Sequence, residues 1–150
     1  MTISPRFIAA FKLLATLLLA LPGAALAQPA SKSLKEQLVG HWQLVSVSVN
    51  DNTQAYGDNP QGSMFADAAG HYAAIVISSG GARNVSLFGT YTVDEAEKSV
   101  TLHVDASNLT DAVGQDVKRF VVLNGDELTA TNKRDGGPVG QVQMVWKRAN

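Results

Sequence analysis

At 150 residues the chain is long enough for one domain, and its 12 basic and 13 acidic residues nearly balance. It lacks the clustered lysine and arginine with which nucleic-acid-binding proteins displace phosphate counterions, so no nucleic-acid partner is expected. It also has no cysteine, which excludes disulfides and a cysteine-linked lipid anchor, so the fold must rest on its hydrophobic core.

Residues 1–27 have the pattern of a cleaved signal peptide. Arg6 and Lys12 supply positive charge, a short apolar run follows, and Ala25-Leu26-Ala27 places small residues where a signal peptidase cuts. The uninterrupted run is about half of the roughly 20 residues that a membrane-spanning helix needs, which favours a signal peptide over an anchor. We therefore expect a periplasmic or secreted protein that begins at Gln28 and keeps no stable membrane anchor.

Residues 28–39 are predicted to form a flexible lead-in that contains one helical turn. Ser33 precedes Glu36 by three positions, which is the spacing of a capping box. A turn that continues to Leu38 would cover one end of the domain that follows. That domain, residues 40–150, has β-strand character almost throughout.

Eight segments of this domain have the composition of short strands, and turn signals separate them. They are residues 40–49, 62–67, 71–79, 85–93, 99–105, 117–123, 128–132 and 141–148. Gly70 and the pair Asn124-Gly125 are typical of hairpin turns. Short strands joined in this way, without a long helix or a repeat, predict an all-β fold, an eight-stranded antiparallel up-and-down β-barrel.

The alternation of apolar and polar residues predicts which side chains face inward. Segment 99–105 alternates strictly, which places His103 on the solvent side. In the first strand, Trp42 and Leu44 share one parity, while Val47 belongs to the other. Both sets can face inward only if a β-bulge near Leu44 shifts the register by one residue, and we predict that bulge.

The strand opening Gly40-x-Trp42 resembles the opening motif of the lipocalins, and the longer pattern resembles the lipocalin-like domain family of bacterial and fungal proteins. The matching segments are residues 38–46, 62–65, 70–72, 89–94, 100–104, 119–120, 125–128 and 145–148. The resemblance implies a closed barrel whose interior holds a small apolar or amphipathic molecule. It transfers fold better than function, because members of one fold serve many functions.

Two features depart from the family pattern. Members often carry a long, partly helical insertion between the third and fourth strands, where this chain has only residues 79–84. Members also often show two adjacent histidines where this chain has Leu102-His103. No role is therefore assigned to that pair.

Arg119, Tyr72 and Tyr91 are the predicted ligand contacts. Arg119 shares parity with Val117 and Val121, which would face inward, and a ligand carboxylate is a natural partner for a guanidinium there. Two alternatives stay open. Arg119 could pair with an internal acid, or it could be exposed, because the opposite parity of residues 117–123 is also apolar.

Gly40, Trp42 and Arg148 are predicted to close one end of the barrel. The last strand lies beside the first in a closed barrel, so a cation near residue 148 can stack on the Trp42 ring, a contact worth roughly 0.5–2 kcal/mol. In lipocalins a basic residue near the C-terminus has this position, and the resemblance implies Arg148 for it.

The sequence predicts no metal site, cofactor or catalytic residue, because His41, His71 and His103 lie on separate strands without metal-ligand spacing. The predicted function is binding of a small hydrophobic or amphipathic ligand. One alternative is an isomerase or hydratase that uses a histidine or tyrosine as acid and base, which requires His71 or His103 to face inward. Another is a packed barrel that acts as an envelope interaction module through its rim loops.

The polar loop 50–61 is long enough to act as a lid over the barrel, and a plain surface excursion is the alternative. The sequence indicates neither the identity of the ligand nor the oligomeric state.

Overall fold

The computed structural model describes residues 31–132 and 141–149. The predicted signal peptide, residues 1–27, lies outside this part of the chain. Within the described ranges, no helix is long and apolar enough to span a bilayer.

The described residues form a closed barrel of eight antiparallel strands, each hydrogen-bonded to the next in the chain, with the last strand paired to the first. The strands are β1 (Gly40–Val49), β2 (Gln61–Ala66), β3 (His71–Ile77), β4 (Asn84–Asp94), β5 (Ser99–Ser107), β6 (Asp116–Asn124), β7 (Glu127–Thr131) and β8 (Val142–Arg148). A short helix α1 (Leu34–Leu38) precedes them, and a 3₁₀ turn (Thr110–Ala112) connects β5 to β6. The predicted all-β, up-and-down barrel is confirmed, with every strand boundary within two residues of its predicted position.

The inner faces of the strands form the core. Trp42, Val47, Val104 and Leu128 are each no more than 2 % exposed, and a fully buried valine or leucine stabilises a fold by about 1.5–3 kcal/mol. The alternation in β5 is confirmed, since Val104 is buried and its neighbour His103 is exposed.

The bulge predicted in β1 is confirmed. Pairing with β8 shifts register between Leu44 and Ser46, which leaves Val45 outside at 51 % exposure while Trp42 and Val47 are both buried. One strand therefore directs apolar side chains of both parities into the core.

A second bulge, which the sequence did not predict, lies in β5. Phe88 pairs with Ala106 and Gly89 with Val104, so Asp105 is the extra residue. A Cβ at position 89 would lie 2.0 Å from the His103 carbonyl oxygen. The bulged backbone of β5 therefore requires glycine at the facing position of β4.

Helix α1 covers one end of the barrel, as predicted, and this end is called the base below. The Ser33 hydroxyl accepts from the Glu36 backbone N–H at 3.2 Å, and the Ser33 N–H donates to the Glu36 carboxylate at 2.8 Å. The Glu95 carboxylate, from the β4–β5 turn, accepts from two further N–H groups of the first turn. These caps hold Leu34 and Leu38 against the core, where both are 5 % exposed.

Trp42 and Arg148 complete the base. The Trp42 ring is fully buried and its Nε1–H donates to the Leu38 carbonyl at 2.9 Å. The Arg148 guanidinium lies 4.2 Å from the Trp42 ring centroid and donates to the carbonyls of Val39 and Gln37 at 2.9 and 2.5 Å. The predicted stack of Arg148 on Trp42 is therefore present.

Gly40 leaves room for the Arg148 guanidinium. Its φ of +135° suits glycine, and a Cβ there would lie 2.8 Å from Nη1 of Arg148. The base thus combines all three residues that the sequence assigned to barrel closure.

The opposite end, called the mouth below, carries loop 50–60. The Ser79 N–H donates to the Tyr56 carbonyl at 2.9 Å, and the Ser79 hydroxyl accepts from the Asn59 N–H at 2.8 Å. Tyr56 packs against the core, and Pro60 is buried. The loop is therefore attached to the β3–β4 connection and to the core.

Candidate functional site

Arg119 lies inside the barrel. Its register partner is Val100, which is 6 % exposed, and directly opposed residues of antiparallel strands point to the same face. On the other parity of β6, Val122 is 59 % exposed. The orientation that the sequence left open is therefore the inward one for residues 117, 119, 121 and 123.

The Arg119 guanidinium has little polar compensation. Its Nη1 donates to the Lys118 carbonyl at 3.2 Å, and no carboxylate of residues 31–132 or 141–149 forms an ion pair with it. Burial lowers the pKa of Arg119 below its usual value, although a guanidinium stays charged in proteins. A cation in such a place is costly unless it is paired, so an anionic group beside the guanidinium would be stabilised.

Tyr72 supplies a second donor to the same interior. Its side chain is 5 % exposed, and its hydroxyl has no hydrogen-bond partner among the described residues. Burial, assisted by the charge of Asp105, raises the pKa of Tyr72 to about 12, and the charge of Arg119 opposes that rise. Once ionised, the Tyr72 phenolate would in turn favour the charged form of Arg119.

An orphaned phenol O–H and an underpaired guanidinium both require an oxygen acceptor. A carboxylate or similar anionic group between them would satisfy both with charge-assisted hydrogen bonds. The neighbouring inner wall is apolar, and several of its side chains are only partly buried although they face inward. These are Leu44, Met64, Leu87, Leu102 and Met144. The interior therefore offers an apolar lining beside one polar anchor point.

Tyr91, the third predicted contact, occupies a different place. Its hydroxyl donates to the Asp67 carbonyl at 2.7 Å, and its N–H donates to the Gly70 carbonyl at 2.7 Å. Burial raises its pKa as well. The fold thus directs both Tyr72 and Arg119 into the interior, and it uses the Tyr91 hydroxyl to hold the β2–β3 turn.

The three histidines lie on the outer face. His71 contacts Asp67 at 2.8 Å and His103 contacts Asp116 at 2.8 Å, and both histidines are exposed. His41 stacks on Phe65 with ring centroids 4.2 Å apart. The enzyme alternative requires His71 or His103 to face inward, and neither does. Among the residues that the structure describes, no group of three or more potential ligands could hold a metal ion.

Sequence reasoning found Arg119 and Tyr72 separately but could not pair them. They lie 47 positions apart on β3 and β6, and their proximity depends on closure of the barrel. The effect of Asp105 on the Tyr72 pKa has no local sequence signal, because Asp105 itself is exposed.

No protein-family model matches the chain, and no curated protein is similar enough to count as a relative. The resemblance to the lipocalin-like family therefore stays a prediction.

Proposed function

We propose that this protein is an exported, lipocalin-like carrier that binds a small amphipathic ligand with an anionic head group inside its barrel. The observation that carries the proposal is the buried Tyr72 hydroxyl, which has no partner among the described residues and shares the interior with Arg119. Native proteins rarely leave such a donor unsatisfied, and each exception calls for an explanation, here a role in binding.

In the proposed complex, the Arg119 guanidinium and the Tyr72 O–H donate to one head group, and the ligand's hydrocarbon chain lies along the inner wall. Burial of the chain contributes about 0.8 kcal/mol for each methylene group. The polar anchor fixes orientation, because a hydrogen bond to a charged group is worth about 1.5–3 kcal/mol. The base is closed by α1 and Trp42, so the ligand enters at the mouth, beside loop 50–60.

The test uses a panel of straight-chain carboxylic acids and the alcohols of equal length, titrated into the purified protein by calorimetry. We expect saturable binding, with the acid at least about tenfold tighter than its alcohol, since the anchor adds about 1.5 kcal/mol or more. Arg119→Met should abolish this preference.

Lys118→Met is the matched control, because it removes the neighbouring positive charge from the outer face, where Lys118 is paired with Glu97. It should leave the preference intact. Failure of every acid to bind, or equal affinity for acid and alcohol in the unmodified protein, would contradict the proposed site.

Export is tested separately, by N-terminal sequencing of the chain recovered outside the cytoplasm. A mature N-terminus at Gln28 is expected, and a chain that keeps residues 1–27 would contradict cleavage.

A further inference from the structure

The outer face of β2 to β5 carries a row of aromatic and small side chains in alternation. In register across the four strands, the row consists of Phe65, Ala73, Phe88 and Ala106. Phe65 and Phe88 are 52 % and 55 % exposed. Since neighbouring strands lie about 4.8 Å apart, the two rings stand roughly 10 Å apart with Ala73 between them, which leaves a slot as wide as one ring.

A second row, next to the first, repeats the alternation. Ser63, Ile75 and Ser86 are in register, and Asn108, directly after β5, exchanges hydrogen bonds with Ser86 of β4. Ile75 is 49 % exposed. The two rows line a hollow of about 390 Å³, and none of the described residues that line it is charged. This outer face, residues 63, 65, 73, 75, 86, 88, 106 and 108, is called the row face below.

The row face is complementary to itself. A two-fold axis parallel to the strands, between β3 and β4, reverses the order of the first row. Phe88 of one copy then meets Ala73 of the second copy, and Phe65 meets Ala106. In the second row the same operation sets Ile75 against Ser86. Every large side chain faces a small one, which is the packing that a two-fold interface requires.

We propose that the row face is a dimer interface and that its occupant is a second copy of this chain. The largest contiguous apolar patch on a protein surface, typically a few hundred Å², is often a functional one. Four strands about 4.8 Å apart, crossed by these rows, give a footprint on the order of 400 Å² for each protomer, about half that of a standard stable interface. The dimer is therefore weak and reversible.

The charges around the row face set the salt dependence of the dimer. Asp67 and Asp105 lie with Phe65 and Phe88 around a second hollow on the base side, and both carboxylates are about half exposed. The two-fold axis brings the carboxylates of the two copies toward one another. Added salt screens that repulsion, so association should strengthen as salt rises.

The test is sedimentation of the purified protein over a range of concentrations, with variants that change side-chain size. Phe88→Ala removes a knob and Ala73→Phe fills a slot, so each should weaken the dimer at least about tenfold, because each contact occurs twice in the assembly. The double variant Ala73→Phe/Phe88→Ala again sets a phenylalanine against an alanine in both contacts. It should regain association to within a few fold of the unmodified protein.

Val122→Ala is the matched control, since Val122 is an exposed apolar residue on β6, away from the row face. It should leave association unchanged. Circular dichroism and thermal melting confirm that each variant is folded. A monomer at every concentration, a dimer that neither single variant weakens, or a folded double variant that fails to recover would overturn the proposal.

Discussion

Tyr72 contributes to the core through its ring and opposes folding through its hydroxyl. An unsatisfied buried hydroxyl costs about 1–3 kcal/mol, whereas an apolar group of the same shape in its place is nearly neutral or stabilising. The residue is thus less stabilising than phenylalanine would be in the unliganded barrel. A substitution at this position can therefore raise the stability of the fold while it weakens ligand binding.

Tyr72→Phe should raise the free energy of unfolding by about 1 kcal/mol and weaken binding of carboxylic acids. Urea denaturation and the calorimetric titration measure the two effects. Tyr91→Phe is the matched control. It removes one of the two donors to the Asp67 carbonyl, the other being the Gly70 N–H, so it should lower stability by about 1 kcal/mol and leave the affinity unchanged. Loss of stability in Tyr72→Phe would contradict an unpartnered hydroxyl.

The raised pKa of Tyr72 predicts alkaline destabilisation. An unfolded tyrosine loses its proton near pH 10, while the pKa of Tyr72 in the barrel is about 12. Between these values the folded chain retains a proton that the unfolded chain releases, so the free energy of unfolding falls as pH rises. The contribution is complete below about pH 10, and about 2–3 kcal/mol is lost by pH 12.

Urea denaturation at several alkaline pH values, with phenolate absorbance as a second readout, measures this loss. In Tyr72→Phe the fall over the same interval should be smaller by one proton's contribution. An identical pH dependence in the two proteins would show that Tyr72 titrates normally.

At the scale of elements, the base links α1, β1 and β8 through one guanidinium. Arg148→Met retains much of the apolar stem but loses two hydrogen bonds to carbonyls and the stack on Trp42. We expect a loss of about 3 kcal/mol in the free energy of unfolding. Lys147→Met, an exposed neighbour on the same strand, should change stability by less than about 0.5 kcal/mol. Equal effects of the two substitutions in urea denaturation would contradict the closing role of Arg148.

The bulge in β5 and Gly89 of β4 form a second linked pair. Gly89→Ala places a methyl group where the His103 carbonyl oxygen lies, so the bulge must shift, and we expect a loss of more than about 2 kcal/mol. Gly80→Ala is the control, because a Cβ there meets nothing within 4 Å and only the φ of +81° is strained. Its cost should be about 1 kcal/mol. Thermal melting compares the two, and a harmless Gly89→Ala would contradict the close approach.

These elements show how far the sequence predicts the fold. Strand positions follow from alternation and turn residues, and the β1 bulge follows from two apolar parities in one strand, which a single register cannot bury. The β5 bulge has no such signal, because residues 105–107 are polar or small on both parities. The only residue in the sequence that reflects this bulge is Gly89. A lone glycine in a strand does not reveal which backbone approaches it.

The candidate site is less predictable for a physical reason. Both parities of residues 117–123 are apolar, so local pattern cannot orient Arg119. Its direction depends on the register with β5, where Val100 faces inward. The placement of Tyr72 and Arg119 in one interior is harder still to predict from the sequence. It arises only when the barrel closes and nonadjacent strands face one another.

At the scale of the whole molecule, each strand pairs with its chain neighbour except at the seam between β1 and β8. Seven of the eight pairings are therefore short-range in sequence, and one joins residues about a hundred positions apart. Loop closure costs more entropy as the loop lengthens. The seam is accordingly the slowest pairing to nucleate, although it completes the base around Trp42.

That order of events has a consequence for biogenesis. Until residues 142–148 are available, Trp42 lacks its stacking partner, β1 has one open edge, and the helix carbonyls bound by Arg148 have no donor. Closure of the barrel therefore waits for residues 142–148, however much of the sheet has already formed.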